Sequence, residues 1–302
     1  EAVKKLASEL GYEPNPKAIF FKQQKSFVIG VVVPQITEDF FSKSINGIER
    51  TAMEHGYTIL FGQSHDSLEK EETVLEAFKR QRVDGLLISL SKETNRYEHL
   101  KALTKLNIPV IYFDRVPPTD QVNKVYCNLR NGMTQVVDYL FKTGRRRVAL
   151  INGPSEIAAS KDRFDGYVEG ISKRKLKVDM QMVEQTDLSE ESTQDALGRL
   201  LNLKKRPDAI ISFNDYVHMD VVKHAHRQGV KVNDEIVFAS FANISMNKFA
   251  AYPPVISLDQ FPYQQGVAAM EVLIELLEKK ASSDEKEMKP YKVEVPIKLV
   301  EN

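Results

Sequence analysis

The sequence predicts an α/β protein made of two doubly wound parallel-sheet lobes. Three observations predict it. At 302 residues the chain holds about two domains of ordinary size. Short, continuous apolar runs alternate with amphipathic stretches at helical spacing from Phe27 almost to the C-terminus. The runs are β-branched and apolar throughout, as in strands covered by helices on both faces.

The elements follow in order. Phe27 to Val33 (FVIGVVV) is a buried strand that stops at Pro34. Ile45, Ile48 and Ala52 define a helix over 41–55, closed by Gly56. Tyr57 to Phe61 is the second strand, 69–81 a helix with Val74, Leu75 and Phe78 on one face, and Gly85 to Leu90 the third strand. A helix near 95–106 leads to the strand Val110 to Phe113. The pattern repeats with helix 132–143, strand Val148 to Ile151, helix 161–174, a strand near 180–184 and helix 190–202. Strand Ala209 to Phe213, helix 215–228 and strand Ile236 to Ser240 follow. A long helix over 263–280, the charged stretch Ser282 to Lys289 and a strand from Tyr291 to Ile297 end the chain. In such sheets ligands bind beyond the carboxyl ends of the strands, so two facing lobes share one cleft.

Composition narrows the function. Lys plus Arg and Asp plus Glu both total 42, which argues against a chain that coats nucleic acid along its whole length. Cys127 is the single cysteine, so no disulfide forms within the chain and a cytoplasmic protein is expected. No apolar run is long enough for a membrane span or signal core. Residues 1–25 read differently from the body. Val3, Leu6, Ala7 and Leu10 mark a short helix, followed by the break Tyr12-Glu13-Pro14-Asn15-Pro16. A helix this short has no core of its own, so it reads as the tail of a small domain that begins upstream.

Ordered motifs then point to a family. They are Leu10-Gly11-Tyr12-Glu13-Pro14-Asn15, Ile29 to Pro34, Asp39-Phe40-Phe41, Gly47-Ile48-Glu49 and His55-Gly56-Tyr57. Further on come Arg82 to Leu86, Pro109 to Ile111 with Asp114-Arg115, Gly144 to Arg147, Gly153-Pro154, Arg163 with Gly166-Tyr167, and Asn214-Asp215. The chain resembles, over its whole length, the lactose-repressor (LacI/GalR) family of bacterial transcription regulators. The resemblance implies a two-lobed, periplasmic-binding-protein-like core with three crossovers, expected near Tyr126–Asn128, Asp259–Phe261 and Met288–Tyr291. It divides the chain into a headpiece remnant and hinge (1–25), a first lobe (26–127 plus 261–288) and a second lobe (128–260 plus 289–302). It implies a homodimer whose partners are operator DNA and a small, carbohydrate-type effector, with no catalysis, cofactor or metal. The recognition helix of the headpiece is not in this sequence. A transport-type sugar-binding protein of the same build is the alternative.

By the same resemblance, Asn15, Lys17, Ala18, Phe21 and Lys22 belong to a DNA-binding hinge, Phe21 as the apolar wedge in the minor groove. Arg163 takes the effector-binding Arg position, and its fork of donors suits neighbouring hydroxyls or a carboxylate. Asp114 and Asn214 end strands and face the expected cleft, which favours ligand contact for each over the plainer reading of a turn cap. Phe41, Phe241, Asn243 and Gln260 complete the expected effector set; Phe41 also reads as core. Ala242 stands where the family usually places an Asp. Other features have plainer readings. Arg145-Arg146-Arg147 reads as a cationic helix end before a strand rather than a nucleic-acid patch. His218, His224 and His226 are spaced against a shared metal, and Cys127 reads as a buried structural thiol. There is no phosphate loop, nucleophile elbow or zinc-protease motif.

Overall fold

A computed structural model describes residues 25–281 and 289–302. The expected helix 1–10, the hinge residues Asn15, Lys17, Ala18, Phe21 and Lys22, and the charged stretch beginning at Ser282 lie outside the described residues.

The first sheet holds six strands, in the order β11-β5-β4-β3-β1-β2. They are β1 (Val28–Val33), β2 (Thr58–Gln63), β3 (Gly85–Ile88), β4 (Val110–Phe113), β5 (Asn123–Tyr126) and β11 (Lys292–Glu294). All pairs in it are parallel. Its helices are α1 (Asp39–Glu54), α2 (Leu68–Gln81), α3 (Glu98–Lys105) and α8 (Pro262–Ala281). The second sheet runs β12-β10-β9-β8-β6-β7. Its strands are β6 (Val148–Asn152), β7 (Val183–Gln185), β8 (Ala209–Ser212), β9 (Val237–Phe241), β10 (Ile256–Asp259) and β12 (Lys298–Glu301). Helices α4 (Leu129–Lys142), α5 (Ala158–Ser172), α6 (Glu190–Leu201) and α7 (Asp215–Arg227) cover it.

The structure differs from the sequence pattern in four places, the first being β10 (Ile256–Asp259), which is absent from the expected elements and pairs in parallel with β9. β5 has no signal in the pattern: NKVY is four residues long and half polar, too short to separate from a loop. The expected strand Tyr291 to Ile297 is two strands in different sheets, because Pro296 has no N–H to continue a ladder. The third passage between lobes therefore lies at Val295–Ile297, after β11 has paired with β5, and not at Met288–Tyr291. Residues 292–294 belong to the first sheet. Finally, the second sheet is not wholly parallel: β12 returns antiparallel to β10 at its edge.

Each lobe is closed by one intimate helix pair. In the first, α1 crosses α8 at Gly47 and Gly266. A Cβ on Gly47 would lie 2.3 Å from the Tyr263 carbonyl oxygen, and one on Gly266 2.1 Å from that of Ser44. Only glycine lets the two backbones touch there. In the second, α4 crosses α5, with Gly166 against the Arg130 carbonyl. The cores of Ile29, Val31, Leu87 and Ile111 in one lobe and of Leu150, Ile211, Ala239 and Leu258 in the other are fully buried. These cores fix where the strand ends, and hence the cleft, must lie.

Candidate functional site

The carboxyl ends of β3 and β4 carry Ser89 and Asp114. The Ser89 hydroxyl donates to the Asp114 carboxylate at 3.2 Å. Asp114 sits at φ +58°, a left-handed conformation that Asp tolerates, and this turns its side chain out of the strand line. Next to it Arg115 pairs with Asp66 and lies 5.8 Å from the ring centroid of Phe41. Burial pushes the Asp114 carboxyl above the ordinary carboxylate range, with Arg115 and Arg163 pulling it down. Burial does the same to Glu38, again against Arg115. The face of the first lobe is thus polar, carboxylate-rich and internally paired.

The second lobe presents a different face. Arg163, on the first turns of α5, is 5% exposed. Its guanidinium carbon lies 4.1 Å from the Phe213 ring centroid and 4.7 Å from that of Phe241. Those rings follow β8 and end β9, so the sheet itself sets the sandwich. Phe213 in turn packs on Gly153, where a Cβ would come within 2.7 Å of the ring. Nε and Nη1 of Arg163 are buried and have no hydrogen-bond partner among the described residues. Burial pulls its pKa down to about 10, Asp114 and Asp162 opposing, so the group stays cationic at neutral pH. A buried, charged donor without an acceptor costs free energy that an arriving acceptor returns.

The other expected residues are placed as follows. Asn214 caps α7, its Oδ1 accepting from the Val217 N–H at 2.9 Å. Phe41 is core, edge-on to Phe40. Asn243 donates from Nδ2 to Asp259 at 3.0 Å, tying the end of β9 to the second crossover. Gln260 is buried there, its carbonyl accepting from Cys127 Sγ at 3.4 Å and Gln265 Nε2 at 2.9 Å. Ring contacts or charge join Asp114, Arg163 and Phe241. No hydrogen bond, ion pair or ring contact among the described residues links Asn214 or Gln260 to Arg163.

Sequence reasoning passes over several residues here. Asp215 is fully buried and accepts from the hydroxyls of Ser240 and Ser257, the Ile244 N–H (2.8 Å) and the Asn247 amide (3.1 Å). It pins the loop after β9. Phe213 and Arg115 stand in the sequence only as neighbours of other candidates; their adjacency to strand ends is the available signal. A cavity of about 1170 Å³ opens between the lobes, walled by Ser91, Asp114, Arg115 and Tyr126 on one side and by Ile157 and Asp162 on the other. Asp114 is the one expected effector residue that reaches this wall. At a rim the lobes already touch: the Asp39 N–H donates to Tyr216 Oη at 3.0 Å, and the Ser245 N–H to the Asp39 carboxylate at 3.2 Å.

Comparisons with known proteins agree with this build. The family described as periplasmic binding proteins and sugar binding domain of LacI family matches residues 26–301. The transcriptional repressor CytR of Escherichia coli K12 is 30% identical over 276 residues, covering 91% of this chain and 80% of that protein. A CelR–cellobiose complex superposes with a TM-score of 0.81 at 22% identity, over 99% of this chain and 88% of that one. A periplasmic binding protein/LacI transcriptional regulator from Alkaliphilus metalliredigens in complex with D-xylulofuranose has a TM-score of 0.72 at 25% identity, over 91% and 98%. LacI regulators are a non-enzymatic family. The chain belongs to the LacI family of transcription regulators, and residues 26–301 form its effector-binding core.

Proposed function

We propose that the cleft binds a small, polar, carbohydrate-type effector and that its occupancy sets the affinity of a cytoplasmic homodimer for operator DNA. The buried guanidinium of Arg163, held between two rings with two unpaired nitrogens, carries this reading. A hydroxylated or anionic ligand supplies the acceptor that the unliganded fold lacks. Asp114, from the facing lobe, accepts from hydroxyls. Such a ligand touches both lobes and so favours the arrangement in which they are close. It moves the equilibrium only by its differential affinity for the two states, about 1–3 kcal/mol in switches of this kind.

Ala242 refines the ligand class. It follows β9 beside Arg163's aromatic clamp and offers no carboxylate. A carboxylate there would hold sugar hydroxyls and repel an anion; alanine does neither. The cleft therefore accepts acidic or phosphorylated ligands more readily than typical relatives do. The test is calorimetry with neutral sugars and their acidic or phosphorylated counterparts, on the parent and on Arg163→Ala. Loss of the guanidinium should cost about 2–4 kcal/mol of ligand affinity. Unchanged binding by Arg163→Ala would overturn the site; strict preference for neutral sugars, with no gain in Ala242→Asp, would overturn the ligand class alone.

A further inference from the structure

The second lobe has a strongly basic end that the effector cleft does not use. β8, β6 and β7 are neighbours in one parallel sheet, so the turns that enter them share one edge, opposite the cleft. Those turns carry Lys142, Arg145, Arg146 and Arg147; Lys173, Arg174, Lys175 and Lys177; and Lys204, Lys205 and Arg206. Hydrogen bonds and ring stacking join them into one surface. Arg147 Nε donates to the Arg206 carbonyl at 2.6 Å, and the Arg146 and Arg147 N–H groups donate to Asp208 at 2.8–3.2 Å. Arg174 and Arg146 both lie against the Phe141 ring, 4.4 Å and 5.9 Å from its centroid. Phe141, Lys142, Arg146, Arg174 and Leu176 line a shallow depression of about 480 Å³ there.

A helix-end explanation is too small for this. Helices α4, α5 and α6 do point their C-termini at this edge, each bringing about half a negative charge. Together that is about −1.5, against eleven Lys and Arg met by Asp179 and Asp208 in the turns and by Asp138 and Glu169 on the flanking helices. With the helix ends counted, about five to six positive charges remain uncompensated, in a chain whose formal net charge is zero. Lys142, Lys175, Lys177, Lys204 and Lys205 are exposed and have no ion-pair partner among the described residues. Keeping like charges this close costs stability unless something anionic is held.

We propose that this edge is a docking surface for the phosphate backbone of duplex DNA, distinct from the headpiece and independent of the effector reading. Charge density favours a duplex over an acidic protein. Three adjacent strands span about 10 Å, over which a duplex carries about six phosphates. A protein partner would need apolar anchors, and in the turns and beside them only Leu176 and Met180 are exposed large hydrophobic side chains among the described residues. Backbone recognition of this type is independent of sequence and falls steeply with salt.

The experiment is fluorescence anisotropy of the full 302-residue chain with a labelled 30-base-pair duplex of scrambled sequence, between 50 and 200 mM salt. The triple variant Lys177→Glu, Lys204→Glu, Lys205→Glu is compared with a control of equal net charge, Lys101→Glu, Lys105→Glu, Lys248→Glu, whose sites are also exposed. Melting curves check that both fold. The basic-end variant should bind at least thirtyfold more weakly at 50 mM salt. Its slope of log affinity on log salt should shrink by about 2–3, near 0.9 for each phosphate no longer neutralised. The control should stay within threefold of the parent. Equal losses in both variants, or none in either, would overturn the proposal. Tighter binding of poly-glutamate than of the duplex would also overturn it, in favour of an acidic protein partner. Effector binding is untouched in every case, so failure here leaves the cleft assignment standing.

Discussion

The two lobes share a build and differ in how they prepare their ligand faces. The first satisfies itself: Asp114 has Ser89, Arg115 has Asp66, and the carboxylates and cations answer one another. The second holds a cation between two rings and leaves two of its nitrogens without a partner. It compensates beneath the surface, where Asp215 gathers four donors. Polar order can thus lie at the binding face or behind it. Where it lies behind, the face keeps unspent capacity for a ligand.

The contrast is sharpest in Asp215→Ala against Asp66→Ala. Removing Asp215 strands four buried donors and should cost about 3–5 kcal/mol. Asp66 is partly exposed, and its loss should cost about 1 kcal/mol. Urea unfolding reads both, and equal costs would break the comparison. Acid should act next. His218 is buried under β9, donates from Nε2 to the Tyr252 carbonyl at 3.0 Å and leaves Nδ1 unpartnered. Burial lowers its pKa to about 4, below the ordinary 6.5. The unfolded chain therefore takes up a proton that the folded one refuses. Stability present above pH 6.5 falls as pH drops toward 4, by up to about 3 kcal/mol. His218→Phe should flatten that part of the pH–stability curve; a curve unchanged from the parent would place the acid sensitivity elsewhere.

Arg163→Met should raise the unliganded protein's stability by about 1–3 kcal/mol while removing effector binding, because the orphaned donors go with it. A melting temperature at or below the parent's would mean that the guanidinium is already satisfied. The smallest effect concerns backbone strain. Ala242 stands at φ +100°, where a Cβ is poorly accommodated, whereas Asp114 at the corresponding strand end in the first lobe sits in the tolerated left-handed well. Ala242→Gly should add about 1 kcal/mol of stability and Asp114→Gly should not, as thermal melting would report.

Much of this is legible in the residues. Apolar runs such as Val28–Val33 and Ala209–Ser212 announce themselves, because strands buried on both faces leave no polar position to confuse the pattern. Asn123–Tyr126 does not: it is four residues long, and Asn and Lys fill half of it. At the site, Asp114, Arg163 and Phe241 are reachable from strand ends and motif order. The Phe213 clamp and the Asp215 hub are not, since each depends on partners from other strands that only the folded sheet brings near. The same holds for Glu71, fully buried in α2, which accepts from the Ser91 N–H and from Thr94 and His99 some twenty to twenty-eight residues away.

The discontinuous first lobe has a consequence for synthesis. β5 ends at Tyr126, but the strand that completes its sheet begins at Lys292, and the glycine groove of α1 is filled only by α8. At about 5–20 residues per second, a ribosome needs roughly ten to thirty seconds to cross that gap. For that interval the nascent first lobe carries an unpaired strand edge and an uncovered helix. The second lobe, by contrast, lacks only one four-residue edge strand once Asp259 has emerged. The half of the molecule translated first is therefore the half finished late, and the chain is most exposed to chaperones and proteases through its first lobe. Proteolysis of ribosome-bound chains stalled beyond Asp259 should cut between Ser44 and Ala52 and spare α4 and α5.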